Sequence, residues 1–365
     1  MFERQIDRKM NKKILVINPG STSTKIAVYD GEQELFVTTL RHSTEEIGAF
    51  ATIPDQKDFR RNLITEAMEA AGVKVADLGA VIGRGGLIKH IPSGVYKVGA
   101  QMIDDIINRP LGQHASNLGA LLAADIAAEA GVEAYIADPV VVDELEPVAR
   151  LTGWAEVERT SIFHALNQKA VSRAYAESIG KPYEELNLIV VHMGGGITVG
   201  AHHQGRVIDV NNGLDGEGPF SPERVGTLPA LSLAKLCFSG NYTLAEVAKK
   251  INGKGGMNSL IGSNDVKKAA EDAEAGEPKA QAAIEAMCYN IGKEVGAMAA
   301  VLHGKVDAII LTGGIAYNKM ICGKITDMVG FIAPVIISPG ENEMEALAAN
   351  ALRVMEGRFE AKEYI

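Results

Sequence analysis

Apolar and polar positions along this chain alternate between strand-like and helix-like periods. Lys13–Asn18 (KILVIN) is a β-branched apolar run halted by Pro19-Gly20, which predicts a buried strand. A polar loop from Ser21 to Thr24 leads into a second strand over Lys25–Tyr29. The Asp30-Gly31 turn signal then leads into a third over Glu34–Leu40. The same order returns in the second half. Asn187–Met193 ends in Gly194-Gly195-Gly196, Ile197–His202 alternates, Gln204-Gly205 turns, and Arg206–Asn211 closes the unit. A second echo pairs Ala80–Gly86 with Ala308–Gly314, each an apolar strand running into a double glycine. Such self-similarity predicts two α/β domains of one topology facing each other across a cleft, a preferred place for ligands.

Helical spacing governs most of what remains. It predicts helices over Asp58–Ala71, Ser116–Ala130, Ser161–Ile179, Leu244–Lys250 and Lys279–Leu302, with Ser116 and Asn117 as candidate caps. Gly131, Gly180 and Gly304 stand where helix stops belong. A final helix, Glu343–Met355, follows Pro339-Gly340 and precedes a polar tail, and the first 12 residues read as a flexible lead-in. Met287, Cys288 and Met298 fall on the apolar face of the long helix, whereas Asp104-Asp105 and Glu271-Asp272 read as solvated helix surface. His202 and His203 point to opposite sides of one strand and cannot share a metal there.

Composition narrows the function classes. The 365 residues correspond to about two domains, 47% hydrophobic and 22% charged, an ordinary globular balance. The net charge of −10, with no basic run, argues against nucleic acid or an anionic membrane as partner. A small phosphorylated ligand needs only a few local cations and stays open. Aromatics at 5% are too sparse to form a stacking platform for single-stranded nucleic acid. Cys237, Cys288 and Cys322 lack CxxC spacing, so neither a disulfide framework nor a structural zinc site is expected. With a charged N-terminus and no apolar stretch near the ~18 residues of a membrane span, the expectation is a soluble cytoplasmic protein.

Candidate chemistry lies in the glycine turns. Pro19-Gly20, Gly85-Gly86, Gly194-Gly195-Gly196, Gly313-Gly314 and, more weakly, Pro339-Gly340 each follow an apolar strand. Strand ends of this kind let backbone N–H groups approach an oxyanion. None matches GxxxxGK[ST] or GxGxxG, so neither a P-loop nor a dinucleotide fold is supported. The arrangement suits the duplicated phosphotransferase architecture of actin, hexokinase and acetate kinase.

Specific motifs sharpen that likeness. Asn18-Pro19-Gly20-Ser21-Thr22-Ser23-Thr24-Lys25 resembles the N-x-G-S-x-S-x-K opening of the acetate kinase (acetokinase) family. Gly83–Gly86, Asp138–Glu144, Ser161–Lys169, His192–Gly196 and Leu311–Ile315 continue the match, in forms similar to the butyrate kinases of that family. The resemblance runs over about residues 13 to 358. It implies an α/β, duplicated two-domain actin/hexokinase-like (acetate kinase-like) fold with an interdomain cleft. The first domain would hold residues 13–140 plus 341–358, and 141–340 would bind nucleotide. It also implies ATP-dependent phosphorylation of a short-chain fatty acid, with ATP/ADP and Mg²⁺ as cofactors and a homo-oligomeric protein.

Site residues carry over from those motifs. The resemblance makes Asp138, His114, His164 and Arg224 catalytic and Arg84 the substrate-binding residue. Asp138 ends the strand Ala134–Ala137; it orients metal or substrate rather than abstracting a proton, because an acid with a pKa near ~5 is already ionised. Taken alone, Asp138 could cap a turn before Pro139, each histidine could be structural, and Arg224 could pair with Glu223. Ser21, Ser23, Lys25, His192, Gly194, Gly195 and Gly196 would serve the nucleotide phosphates, although Lys25 could be an exposed strand cation. Asp265, Lys267, Gly313, Gly314, Ile315 and Asn318 would line the base and ribose. Asn18 and Glu343 match the Mg²⁺-associated positions, with Glu345 as the alternative to Glu343.

Overall fold

The predicted apolar runs become the central strands of two separate sheets. The computed structural model describes residues 13–365, so the expected lead-in lies outside the described residues. In chain order the first stretch runs β1 (Lys13–Pro19), β2 (Ser23–Asp30), β3 (Gln33–Arg41), α1 (Thr44–Gly48), α2 (Lys57–Ala70), β4 (Ala80–Arg84) and β5 (Val95–Lys97). It continues through α3 (Ala100–Asn108), α4 (Leu118–Ala130) and β6 (Ala134–Ala137). The middle stretch runs α5 (Pro147–Arg150), α6 (Ala165–Ser178), β7 (Asn187–Met193), β8 (Ile197–His203) and β9 (Arg206–Val210). Four helices follow, α7 (Ala230–Cys237), α8 (Leu244–Ile251), α9 (Gly256–Ile261) and α10 (Val266–Glu274). Last come α11 (Pro278–Val301), β10 (Ala308–Gly313), α12 (Lys319–Val329), β11 (Val335–Pro339) and α13 (Glu343–Met355). Contacts divide the chain into two compact units, one reaching Val141 and regaining Asn342–Ile365, the other Val142–Glu341.

Duplication extends to register. The first sheet has the order β3-β2-β1-β4-β6-β5 and the second β9-β8-β7-β10-β11. Each therefore has an antiparallel triplet followed by parallel strands, and β5 adds an antiparallel edge to the first. Asn18 faces Lys25 across the first hairpin as His192 faces Thr198 across the second. A β-bulge interrupts the next pairing at Val28/Tyr29 in one sheet and at Ala201/His202 in the other, the same position in both triplets.

Both central strands are buried on two faces. Leu15 and Ile17 cluster with Ile64 and Met68 of α2 and with Leu118 and Leu122 of α4. Ile14 and Val16, pointing the other way, are also wholly buried, and α13 packs on β1 and β4. In the second unit Ile189 and Val191 meet Ile284, Met287 and Ile291 of α11, while Leu188 and Val190 meet Val171 and Ala176 of α6. Each sheet is thus sandwiched between helices, as two-faced apolar strands require.

Several expectations need correction. Helix α6 begins at Ala165 rather than Ser161, because Ser161 Oγ donates to the Val142 carbonyl and the Ile162 carbonyl accepts from Gly213 N, which keeps those residues extended. Asn117 does not cap α4 with its side chain; it accepts from Leu87 N at 2.8 Å and donates to the Gly112 carbonyl at 2.9 Å. The C-terminal residues are not a free polar tail. Lys362 exchanges backbone hydrogen bonds with β5, and buried Tyr364 donates to Asp105 Oδ2 at 2.8 Å. Asp105 is accordingly buried rather than solvated.

Candidate active site

In the first unit, three neighbouring parallel strands end side by side and carry candidate residues at their C-terminal ends. Asn18 is the last residue but one of β1, Arg84 closes β4, and Asp138 follows β6. Arg84 holds Glu343 with both arms of its guanidinium, Nη1 to Oε2 and Nη2 to Oε1, each 3.1 Å. Asn18 Nδ2 donates to the same Oε2 at 2.6 Å. Glu343 opens α13, where the helix N-terminus also favours a carboxylate. Glu345, the other candidate, is exposed; the Tyr29 phenol's pKa is raised by burial first and by Glu34 next, with Glu345 a smaller contributor. The structure thus joins Asn18, Arg84 and Glu343 in one cluster, with a carboxylate in the two-pronged geometry that guanidinium favours.

Asp138 is buried, and its backbone has φ 39°, a left-handed conformation costly for most side chains and tolerated best by Asn and Asp. Its Oδ1 accepts from Ser93 Oγ at 2.6 Å and from Gly94 N at 2.8 Å, so two donors set the carboxylate's orientation. His114 is exposed, and its Nδ1 accepts the Ser116 N–H at 3.2 Å, which puts the neutral ring's proton on Nε2.

The Ser21–Ser23 loop rests on a cation that sequence reading missed. Arg60, wholly buried on α2, donates to the carbonyls of Gly20, Ser21 and Ser23, to Thr24 Oγ1 and to Gln56 Oε1. No carboxylate among the described residues pairs with it, and burial pulls its pKa down to about 10. The loop's carbonyls are thereby turned inward onto a fixed charge. Lys25, exposed, shares its face with Asn18. Gly85 and Gly86 have packing reasons: a Cβ at Gly85 would strike Pro139, and one at Gly86 would strike Asn117.

In the second unit His192, the last residue but one of β7, is buried and stacks on His164 with ring centroids 3.8 Å apart and planes 11° from parallel. His192 Nδ1 lies 2.7 Å from Asn167 Oδ1, and His164 Nδ1 lies 2.9 Å from Thr198 Oγ1. Gly194–Gly196 form the three-residue hairpin loop beside them, closed by Gly194 N donating to the Gly196 carbonyl at 2.9 Å. A Cβ on Gly196 would fall inside the guanidinium of Arg224, which crosses that spot to reach the Gly213 carbonyl at 2.8 Å. Burial lowers the Arg224 pKa. Arg224 also donates to Asn252 Oδ1, while Glu223, its sequence neighbour, accepts from Asn264.

Remaining candidates are placed less centrally. Gly313 has φ 87° and backs onto the Met193 carbonyl, whereas Gly314 is open on its Cβ side. Ile315 is buried, and Asn318 caps α12 by accepting from Ile321 N at 3.0 Å. Asp265 caps α10 and lines a cavity of about 450 Å³ with Leu260, Ser263 and Lys268; Lys267 is exposed. Sequence reading also missed Thr198, Asn167 and Glu341, whose carboxylate lies close to Gly194. Thr198 carries no motif signal, because a threonine in an alternating strand looks like any strand former.

Comparison with known proteins fits this geometry. Residues 155–333 match the sequence profile of the acetokinase family. The chain is 56% identical to Butyrate kinase 1 of Clostridium acetobutylicum over 352 residues, 96% of this chain and 99% of that protein. Acetate kinase from Porphyromonas gingivalis superposes with a TM-score of 0.77 at 19% identity, covering 94% of this chain and 99% of the other. A propionate kinase from Francisella tularensis subsp. tularensis gives 0.71 at 18%, covering 93% and 98%. A putative N-acetylmannosamine kinase from Listeria monocytogenes gives 0.53 at 12%, covering 94% and 99%. The likenesses place the fold among the duplicated actin/hexokinase-like folds, and the near full-length identity settles the family: this chain belongs to the acetokinase family of kinases.

Proposed function

We propose that this kinase transfers the terminal phosphoryl group of ATP to the carboxylate of butanoate, giving butanoyl phosphate and ADP, and runs the reverse reaction to form ATP. The observation that carries the reading is the 56% identity to Butyrate kinase 1 over nearly the whole chain. The geometry adds physical support. Arg84 already holds a carboxylate in bidentate fashion, and an acid substrate would engage that fork in place of Glu343 or beside it.

Phosphoryl transfer to a carboxylate brings an anion towards a polyanion, so catalysis is positioning and charge neutralisation. The acceptor is ionised at neutral pH and needs no general base. In the proposed mechanism Asp138, fixed by Ser93 and Gly94, orients the acid or its metal. His114 and His164 donate from their rings to the equatorial oxygens of the moving group. Arg224 neutralises charge that builds on the transferring oxygens. The second unit is the nucleotide-binding one: Gly194, Gly195, Gly196 and His192 hold phosphates, and Asp265, Lys267, Gly313, Gly314, Ile315 and Asn318 surround base and ribose. Ser21, Ser23 and Lys25 supply further phosphate contacts.

Asn18 Oδ1 and the Glu343 carboxylate, whose oxygens Arg84 already holds, are oxygen groups that would suit the water shell of Mg²⁺, which keeps most of its waters and takes few protein ligands. When bound, Mg²⁺ would screen the phosphate charge. We also propose a cytoplasmic homo-oligomer, its self-association supported by apolar side chains left exposed on α7, just beyond it and on α8: Leu231, Phe238 and Leu244.

The test is purified protein with ATP, Mg²⁺, hydroxylamine and straight-chain acids from C2 to C6. Hydroxamate formation should peak at C4. Neighbouring acids should also react, because one methylene is worth only about 1–3 kcal/mol in an apolar pocket. A maximum at C2 would replace butanoate with acetate, and no product with any acid, together with ATP-dependent light scattering, would favour an actin-like assembly protein.

A further inference from the structure

The hydrogen bonds behind His164 run in one direction. Gln168 is wholly buried, and its Nε2 lies 3.1 Å from the Thr198 carbonyl, which only accepts; that end of the amide is therefore the NH₂. Its Oε1 consequently faces His202 Nε2 at 2.9 Å, and that nitrogen must carry hydrogen. His202 is fully buried, and burial together with the nearby cations Lys169 and Arg173 holds its pKa well below the ordinary value. The ring is neutral, so Nδ1 bears a lone pair and accepts the Tyr183 hydroxyl at 2.6 Å. Ser172, 3.3 Å from the same nitrogen, has its own acceptor in the Gln168 carbonyl at 2.7 Å.

Gln168 Nε2 donates also to Thr198 Oγ1, at 3.0 Å. The Thr198 side chain is buried, and its hydroxyl proton has one acceptor among the described residues, His164 Nδ1 at 2.9 Å. Were that nitrogen protonated, it could donate to Oγ1 alongside Gln168, but the buried hydroxyl's own proton would then lose that acceptor, an unfavourable arrangement. The stacked neighbour is wired oppositely. Asn167 Nδ2 donates to the Glu341 carbonyl at 2.9 Å, so Asn167 Oδ1 accepts a hydrogen bond from His192 Nδ1–H.

We infer that Tyr183, His202, Gln168 and Thr198 form a polarised relay that fixes the tautomer of His164, leaving its Nε2–H as the donor to the transferring phosphoryl group. These four are positioning residues; they act through His164 and touch neither substrate. The inference rests on the role proposed above for His164.

The test uses the full-length protein labelled with ¹⁵N-histidine, with the His164 resonances identified by their loss in His164→Asn. Wild type should show protonated Nε2 and bare Nδ1 on that ring. Thr198→Val, which removes the hydroxyl at constant shape, should give a mixture of tautomers. Its kcat should fall by about 10- to 100-fold, less than the loss of a direct transition-state donor, with KM for ATP little changed. Thr198→Ser should restore both signals. Tyr183→Phe, at the far end, should disturb the His202 resonances and lower kcat by a smaller factor. A wild-type His164 protonated on Nδ1, or a Thr198→Val protein with the parental tautomer and kcat, would overturn the relay. Full activity in His164→Asn would overturn the role the relay serves, and the two failures are separable because the spectra report the wiring without turnover.

Discussion

Gly196 is a glycine because Arg224 occupies the volume a methyl group would need. The motif around Arg224 is legible in the sequence, and so is the glycine loop, but nothing in one dimension says that the two meet. Substituting Gly196→Ala should therefore act on the arginine rather than on the loop's own backbone. The guanidinium would have to leave the hairpin and its Gly213 carbonyl. A preorganised donor lost from an oxyanion-stabilising site costs about 10²–10³ in kcat. We expect a drop of that size with the acid KM nearly unchanged and the circular dichroism spectrum intact. Wild-type turnover in Gly196→Ala would remove Arg224 from the reaction. The same logic explains what the sequence hides elsewhere at this scale. Arg60, Gln168 and Thr198 are ordinary residues in ordinary periodic segments, and their importance comes from what they touch once buried.

At the scale of elements, the repeated strands were the readable feature, because a two-faced apolar strand stopped by glycine survives without tertiary context. β1, β7 and β10 begin and end within a residue or two of their predicted bounds. The shared bulge after Val28 and after Ala201 was not readable, since a bulge changes pairing and leaves the apolar pattern almost untouched. Long helices were equally legible, α11 above all. Its apolar stripe buries Met287, Cys288 and Met298 as the spacing predicts. That packing has a chemical signature. Burial pushes the Cys288 thiol up to about 11 and raises Cys322 on α12, while Cys237 at the end of α7 is exposed. A disulfide reagent at pH 8 should consume one thiol per native chain promptly and three after denaturation, because the thiolate is the reacting form. A second thiol reacting at the native rate would mean that the α11–α12 contact opens freely in solution.

For the whole molecule, the decisive fact is that the first unit is discontinuous. The chain leaves it at Val141 and returns at Asn342, so that α13 covers a sheet laid down some 200 residues earlier. Helical periodicity predicts α13 as a helix, but its partner sheet is a long-range fact that only the shared fold suggests. Met344, Leu347 and Leu352 of α13 are buried, as is Tyr364 beyond it. Each large apolar side chain contributes about 1.5–3 kcal/mol, so the three together supply about 4.5–9 kcal/mol, a large share of the 5–15 kcal/mol by which a domain is usually stable. Truncation after Glu341 should accordingly leave the first unit unfolded, its β1 and β4 bared on one face. The continuous segment 142–341 contains its own sheet, helices on both faces and a full core, and has no such debt. Expressed alone it should give a cooperative unfolding transition in circular dichroism, whereas the 1–341 truncation should show that transition together with aggregation or protease sensitivity confined to residues before 142. Adding residues 342–365 as a separate peptide should restore protection to the first unit if α13 is what the sheet lacks. A truncated chain as protease-resistant throughout as the full one would show that the sheet holds without its returning helix.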